Sequence, residues 1–289
     1  MYVHGDNLYQ KETHRTKYID EISKRYLKEI REKYDAWKAA NESLDGPYAE
    51  ATPEDEEIIK ERVKLFNEYK DFVDQQHYAE KFDSRSNLHS SILEEFIYYL
   101  FKDIAKSYNA EAIVGKSHAF KDLFINPESY EDMTTEPNIK VEIKDHDFII
   151  GVGIDAEMKV KGSDKVETHT LEVAAVAIEC KTYLDKTMLE GSSVAAEQLK
   201  SRNPNAKYIV VSEWLKLSEQ VNLQKYKVDQ IYILRKQKNT DREYRYAETY
   251  VKNAIQEDAV LHLFNTVRIH LTTKWEGSIS HGIERGYLL

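Results

Sequence analysis

The 289-residue chain contains one cysteine, Cys180. A lone thiol excludes an internal disulfide and a thiolate zinc set, and it leads us to expect a reducing compartment, the cytoplasm. No apolar run approaches the roughly 20 residues of a membrane helix, so no membrane partner is expected. The opening residues, MYVHGDNLYQKETHR, lack the apolar centre of a secretory leader. The ten histidines show no zinc spacing, and there is no internal repeat or low-complexity tract. Positive charge is in deficit, with 41 basic against 51 acidic residues and a net charge of -10. That balance argues against a general nucleic-acid coat protein, but a local basic patch remains compatible with it. The chain does have enough apolar residues, 41%, to fold around a substantial core.

Three stretches differ in pattern. In residues 1–86, Ile19, Ile22, Tyr26, Ile30 and Trp37 recur at helical spacing, and Ile59, Val63, Phe66 and Val73 continue the stripe after a loop at Gly46-Pro47. Thr52-Pro53-Glu54-Asp55 has the composition of a helix start. This stretch reads as a charged helical hairpin, an N-terminal arm. In residues 87–217, Leu88, Ile92, Leu93, Phe96, Leu100 and Ile104 share one broad helical face that begins near Ser86 or Asn87. A Gly- and Pro-punctuated stretch from Gly115 to Pro137 follows. From Asp147 to Lys161 the period becomes two, as in a strand. Gly162-Ser163-Asp164-Lys165 is a turn, and a second strand runs from Val166 to Lys181. A helix over Lys186–Lys200 and a buried strand over Lys207–Val211 complete a mixed α/β layer. Residues 218–289 form a C-terminal extension, with a strand at Ile231–Leu234, a basic stretch beyond it and a helix over Val251–Leu263.

The chemistry resides where the hairpin closes. Glu179 and Lys181, two apart on a strand, project to one face. If the turn centres near Ser163, residue 147 falls opposite residue 179, and Asp147 joins Glu179 across the ladder. Two carboxylates, the Cys180 backbone carbonyl and water make an oxygen shell suited to Mg²⁺. Lys181 can orient a water or stabilise charge on a phosphate. These parts suffice for metal-assisted phosphodiester hydrolysis. Asp155, on the same face as Asp147, is the alternative ligand, but in a regular hairpin it lies about 25 Å from Asp147 along the strand. Glu142-Ile143-Lys144 with Asp122 repeats the spacing in a poorer context. The bland reading of Glu179 and Lys181 is an ion pair at the end of a sheet.

Asp147 followed by Glu179-Cys180-Lys181 resembles the PD-(D/E)XK nuclease superfamily, with His146 where a proline often precedes the aspartate. The segments Lys144–Gly151, Ala177–Lys181 and Leu88–Phe96 are similar to the BbvCI group of type II restriction endonucleases. The resemblance covers roughly residues 87–214. It implies an α/β core made of a mixed sheet with a long catalytic hairpin flanked by helices. It implies Asp147 and Glu179 as metal ligands, Lys181 as the catalytic lysine and an assisting acid from the first core helix, Glu95 or Glu94. It also implies double-stranded DNA as substrate and a second nuclease subunit, like or unlike this one. A related repair or mobile-element nuclease, or a catalytically idle binding subunit, are the rival readings.

Other residues have two readings each. Arg235-Lys236-Gln237-Lys238 with Arg242 and Arg245 either grips phosphate or forms a solvated loop. Ser84-Arg85-Ser86 is a candidate backbone contact. His146 and His169 are candidate metal or phosphate ligands, and Cys180 reads as a small buried hydrophobe rather than a nucleophile.

Overall fold

A computed structural model describes residues 2–82, 87–239, 246–275 and 279–287. The arm holds α1 (Val3–Glu12), α2 (Glu21–Ser43), α3 (Asp55–Val73) and α4 (Gln76–Lys81). The central region runs α5 (Ser90–Tyr108), β1 (Ile113–Ile125), α6 (Tyr130–Thr135), β2 (Ile139–Met158), β3 (Glu167–Leu184), α7 (Lys186–Arg202) and β4 (Lys207–Leu215). It is followed by β5 (Gln230–Ile233), α8 (Glu257–Thr272) and α9 (Ile279–Arg285). The five strands form one sheet in the order β1-β2-β3-β4-β5. The pairs β1/β2 and β2/β3 are antiparallel, while β3/β4 and β4/β5 are parallel. This is the expected mixed sheet between helical layers. Among the described residues no helix is long and apolar enough to cross a membrane.

Both faces of the sheet are covered. Phe148, Ile150, Val176, Ile178, Cys180, Ile209 and Val211 face α5, and the same apolar cluster extends through α2, α3 and α8. Stacked rings join the layers: Phe66 lies 4.4 Å from Phe96, Trp37 5.0 Å from Tyr69 and Phe101 5.6 Å from Phe264. Each fully buried aromatic of this kind contributes about 1.5–3 kcal/mol. The arm and the C-terminal extension thus share one core with the central region. On the opposite face, Ala195, Ala196 and Leu199 of α7 meet Ile149, Ala174, Ala177 and Val210. Small residues on both sides allow α7 to lie close to the sheet. Asp185, immediately after β3, caps α7 by accepting from the Met188 N–H at 2.9 Å.

Several expectations need correction. Ile19 and Ile22 are exposed, and the buried stripe of α2 is Ser23, Leu27, Ile30, Tyr34, Trp37 and Asn41. The third arm helix begins at Asp55, with Thr52 bonding to that aspartate through its N–H and hydroxyl. Within the Gly- and Pro-punctuated stretch runs a full strand, β1, which pairs with β2 from Ile139 onward. The last long helix starts at Glu257 rather than Val251.

Strand β2 is sharply curved. Its 20 residues would span about 65 Å if straight. Yet Glu167, which pairs with Met158 at one end, accepts hydrogen bonds from the Asn138 and Ile139 N–H groups at the other, at 2.7 and 2.9 Å. Bulges supply the bend. One sits between Ile150 and Gly151, where Val176 and Ala174 are successive partners. A Cβ on Gly151 would lie 2.4 Å from the Val173 carbonyl oxygen, so only glycine fits there.

A buried charge network fastens the arm and extension to the sheet. Lys70 of α3 lies 2.8 Å from Asp74 and 3.2 Å from Glu213 of β4. Glu213 receives two N–H bonds from Arg235, at 3.0 and 3.1 Å, and His89 lies 3.0 Å from Asp74. The side chains of Lys70, Glu213 and Arg235 are fully buried. Removing one member leaves an uncompensated charge in the core, so Glu213→Gln should cost about 3–5 kcal/mol in chemical denaturation. Gly151→Ala should lower stability by about 1–3 kcal/mol. Gly153→Ala should be close to neutral, since its Cβ would meet only Thr170 Cγ2 at 3.8 Å.

Candidate active site

Phe148 pairs with Ile178, and continuing that register puts Asp147 opposite Glu179, the alignment expected from the turn. Asp147 Oδ2 accepts the Cys180 N–H at 2.9 Å and lies 3.5 Å from Lys181 Nζ. Lys181 Nζ is 2.6 Å from Glu179 Oε1. One ammonium therefore bridges the two carboxylates. Tyr208 of β4, part of the α7-side core, donates to Glu179 Oε2 at 3.2 Å and fixes its second oxygen. In an extended strand the N–H and C=O of one residue point to the same side, so the Cys180 carbonyl also faces β2.

A second bulge sits at the aspartate itself. Gly115 pairs with Ile149 and Ser117 with His146, so Asp147 and Phe148 together oppose the single residue Lys116. The insertion turns Asp147 toward α5, where Glu94 projects.

Electrostatics tie Glu94 to the cluster. Burial, and next the Asp147 charge, push the Glu94 carboxyl up to about 7, against the opposing pull of Lys116 at 3.4 Å. Burial also raises the Asp147 carboxyl, which Lys181 counteracts and Glu179 reinforces. Lys181 is held above the ordinary lysine range: burial disfavours its charge, but Asp147 and Glu179 outweigh that. Three carboxyls thus face two ammonium groups, a deficit of positive charge that a cation would fill. Among the described residues no three His, Cys, Asp or Glu side chains gather closely enough to hold a metal by themselves. A cation here would draw on the oxygens of Asp147 and Glu179, the Cys180 carbonyl and water, a hard-oxygen set.

The remaining candidates lie apart from the cluster. Glu95 is turned into the arm: its Oε2 accepts the His4 and Gly5 N–H groups at 2.8 and 3.1 Å, and its Oε1 the Tyr99 and Tyr34 hydroxyls at 2.9 and 3.0 Å. The two N–H bonds hold the start of α1 against α5, and Tyr34 ties in α2. Neighbours on a helix diverge by about 100°, so one of the two glutamates faces the site and the other the arm. Asp155 pairs with Thr170 and accepts its hydroxyl at 2.7 Å, eight residues along the hairpin from Asp147. Asp122 binds Arg202 and Glu142 binds Lys121, a set of surface ion pairs.

Arg235, in the stretch read as either a phosphate grip or a solvated loop, is buried against Glu213, while Lys236 and Lys238 pair with Asp258 and Glu219. Arg242, Arg245 and Ser84-Arg85-Ser86 lie outside the described residues. His146 is buried edge-on to Tyr208, with ring centroids 5.8 Å apart, and His169 sits 3.5 Å from Glu167. Burial raises the Cys180 thiol well above its ordinary value, which suits packing and not nucleophilic attack. Sequence reasoning missed Tyr208 and Lys116. Neither stands in a motif, and each reaches the site only through strand register.

The raised Glu94 carboxyl has a stability consequence. Between the ordinary 4.5 and about 7 the folded chain holds a proton that the unfolded chain has released. Stability of the metal-free protein should therefore decline as pH rises through that window. Denaturant melts in EDTA at several pH values should show Glu94→Gln with a shallower decline than the parent.

Residues 85–288 match the Bpu10I restriction endonuclease family. No curated protein matches the sequence. Among solved structures, a chain of the native BbvCI A2B2 tetramer aligns with a TM-score of 0.66 over 94% of this chain and 96% of that one, at 20% identity. The family match takes in α5, the whole sheet, the Asp147–Glu179–Lys181 cluster and the C-terminal helices, and with more than half its length so matched the chain belongs to the Bpu10I restriction endonuclease family.

Proposed function

We propose that the chain is a subunit of a type II restriction endonuclease that hydrolyses phosphodiester bonds of duplex DNA at a specific sequence in the cytoplasm, with Mg²⁺ as cofactor. The observation that carries this reading is the bridge in which Lys181 joins Asp147 and Glu179 beside a third acid, Glu94. Asp147 and Glu179 are the side-chain ligands for the cation. The Cys180 N–H and the Tyr208 hydroxyl hold them in place. When bound, the cation polarises the phosphoryl oxygen and lowers the pKa of an adjacent water. Lys181, kept charged by its two carboxylates, orients the attacking water and offsets negative charge growing on the phosphate. Glu94, whose carboxyl burial and the Asp147 charge push up to about 7, would hold or release a proton beside the site near neutral pH. The solved BbvCI structure is an assembly of two kinds of subunit, which supports a second nuclease subunit as partner for this chain.

The test is cleavage of plasmid or phage DNA by the purified chain with Mg²⁺, alone and beside the product of an adjacent reading frame. Discrete fragments or site-specific nicks that vanish in EDTA are expected. Lys181→Ala should lower the rate about 100–1000-fold or more while keeping the parent's melting profile. Glu94→Gln should also slow cleavage. Glu95→Gln, by contrast, should cost about 1–3 kcal/mol of stability and leave the rate per folded molecule near that of the parent. Equal cutting by parent and Lys181→Ala would overturn the assignment.

A further inference from the structure

Lys116 is a basic side chain beside the cluster that the assigned chemistry does not use. Its place is fixed by the backbone. Val114 packs into the α5-side core, and Lys116, two residues on, shares that face. The β2 bulge sets it opposite Asp147 and Phe148. Gly115, immediately before it, has φ +118°, a backbone conformation that favours glycine. The side chain thus leans over the acids, with Nζ 3.4 Å from Glu94 Oε2. Exposure runs the opposite way along the pair: the Lys116 side chain is 46% exposed and that of Glu94 10%. The ammonium sits between the buried acids and solvent.

The charge balance gives this position a use. Glu94, Asp147 and Glu179 amount to three negative charges when ionised, and Lys181 supplies one positive. A phosphodiester carries a further negative charge, so a substrate approaching this face meets net repulsion. A half-exposed ammonium on a flexible stem can exchange a long contact with one carboxylate for a charge-assisted bond to a phosphate oxygen.

We propose that Lys116 is a substrate-binding residue that takes a non-bridging oxygen of the DNA backbone beside the bond presented to Asp147, Glu179 and Lys181. The proposal rests on the nuclease reading above. Lys116 holds the backbone of any sequence against the site, since phosphate contacts carry no base information. Its contact with Glu94 is the resting arrangement.

The experiment is equilibrium binding of the full chain to a duplex oligonucleotide of arbitrary sequence, without Mg²⁺, over a series of salt concentrations. Parent, Lys116→Met, Lys116→Arg and Lys28→Met are compared, Lys28 being a 79% exposed side chain of α2. Lys116→Met should weaken binding about 3–10-fold at moderate salt and reduce the slope of log K against log salt by about one. Lys116→Arg should restore most of both, and Lys28→Met should match the parent. In cleavage, Lys116→Met should raise KM more than it lowers kcat. Parent-like affinity and slope for Lys116→Met, with only a changed melting curve, would show a structural partner of Glu94 and overturn the proposal. Cleavage by the parent is scored separately: a parent that cuts DNA while Lys116→Met binds normally sinks only this inference, whereas a parent that neither binds nor cuts sinks the nuclease reading and this one with it.

Discussion

Strand β2 has to serve two partners, and the site depends on how it does so. Its first part pairs with β1 and its last part with β3, and only Ile149 to Gly151 pair with both. A straight strand of this length could not bring its ends within reach of Glu167. One bulge just before the doubly paired stretch and one within it supply the curvature. One exposes Asp147 to α5 and to Lys116, and the other depends on Gly151. Asp147 therefore stands just before the doubly paired stretch of the sheet. Rigid positioning of this kind suits a metal ligand, whose donor atoms must be fixed to within a fraction of an ångström.

The second constraint is charge. The core admits Lys70, Arg235, Asp74 and Glu213 as a closed network in which each charge has a partner of opposite sign. Such a network adds little net stability, because desolvation of the ions offsets their attraction. What it supplies is alignment of α3, β4 and the segment after β5. The Asp147 cluster is left incompletely balanced, and Glu94 and Asp147 are pushed toward protonation. One buried ion group is electrically satisfied and the other is not. That difference separates a structural network from a candidate cation site.

Much of this was legible in the sequence where the pattern is local. The turn at Gly162, the two-residue period on either side of it and the spacing of Glu179 and Lys181 lead to the observed register. The apolar faces of α3 and α5 follow from helical spacing. What could not be read depends on contacts far apart in sequence. Strand β1 gives little alternation because its last three residues, Leu123 to Ile125, are all exposed. The bulge at Asp147 leaves no mark in composition, so Lys116 looked like any surface lysine. Arg235 sits in a basic stretch and only β4 reveals its partner. Glu94 and Glu95 are adjacent, and α5 is apolar on nearly every side. Nothing local says which of the two points at the sheet.

The choice between those glutamates is made by the arm. Glu95 receives the first N–H groups of α1, where the helix dipole favours a carboxylate, and two tyrosine hydroxyls complete its shell. A side chain bound by four donors cannot also attend the site, and the geometry of α5 then directs Glu94 to Asp147. The arm thus contributes to the site without touching it. By occupying one acid it fixes the rotation of α5 about its axis, and that rotation sets how far Glu94 stands from Asp147 and Lys116. Loss of the Glu95 clamp should therefore be felt in the packing of α1 and α5 before it is felt in the chemistry.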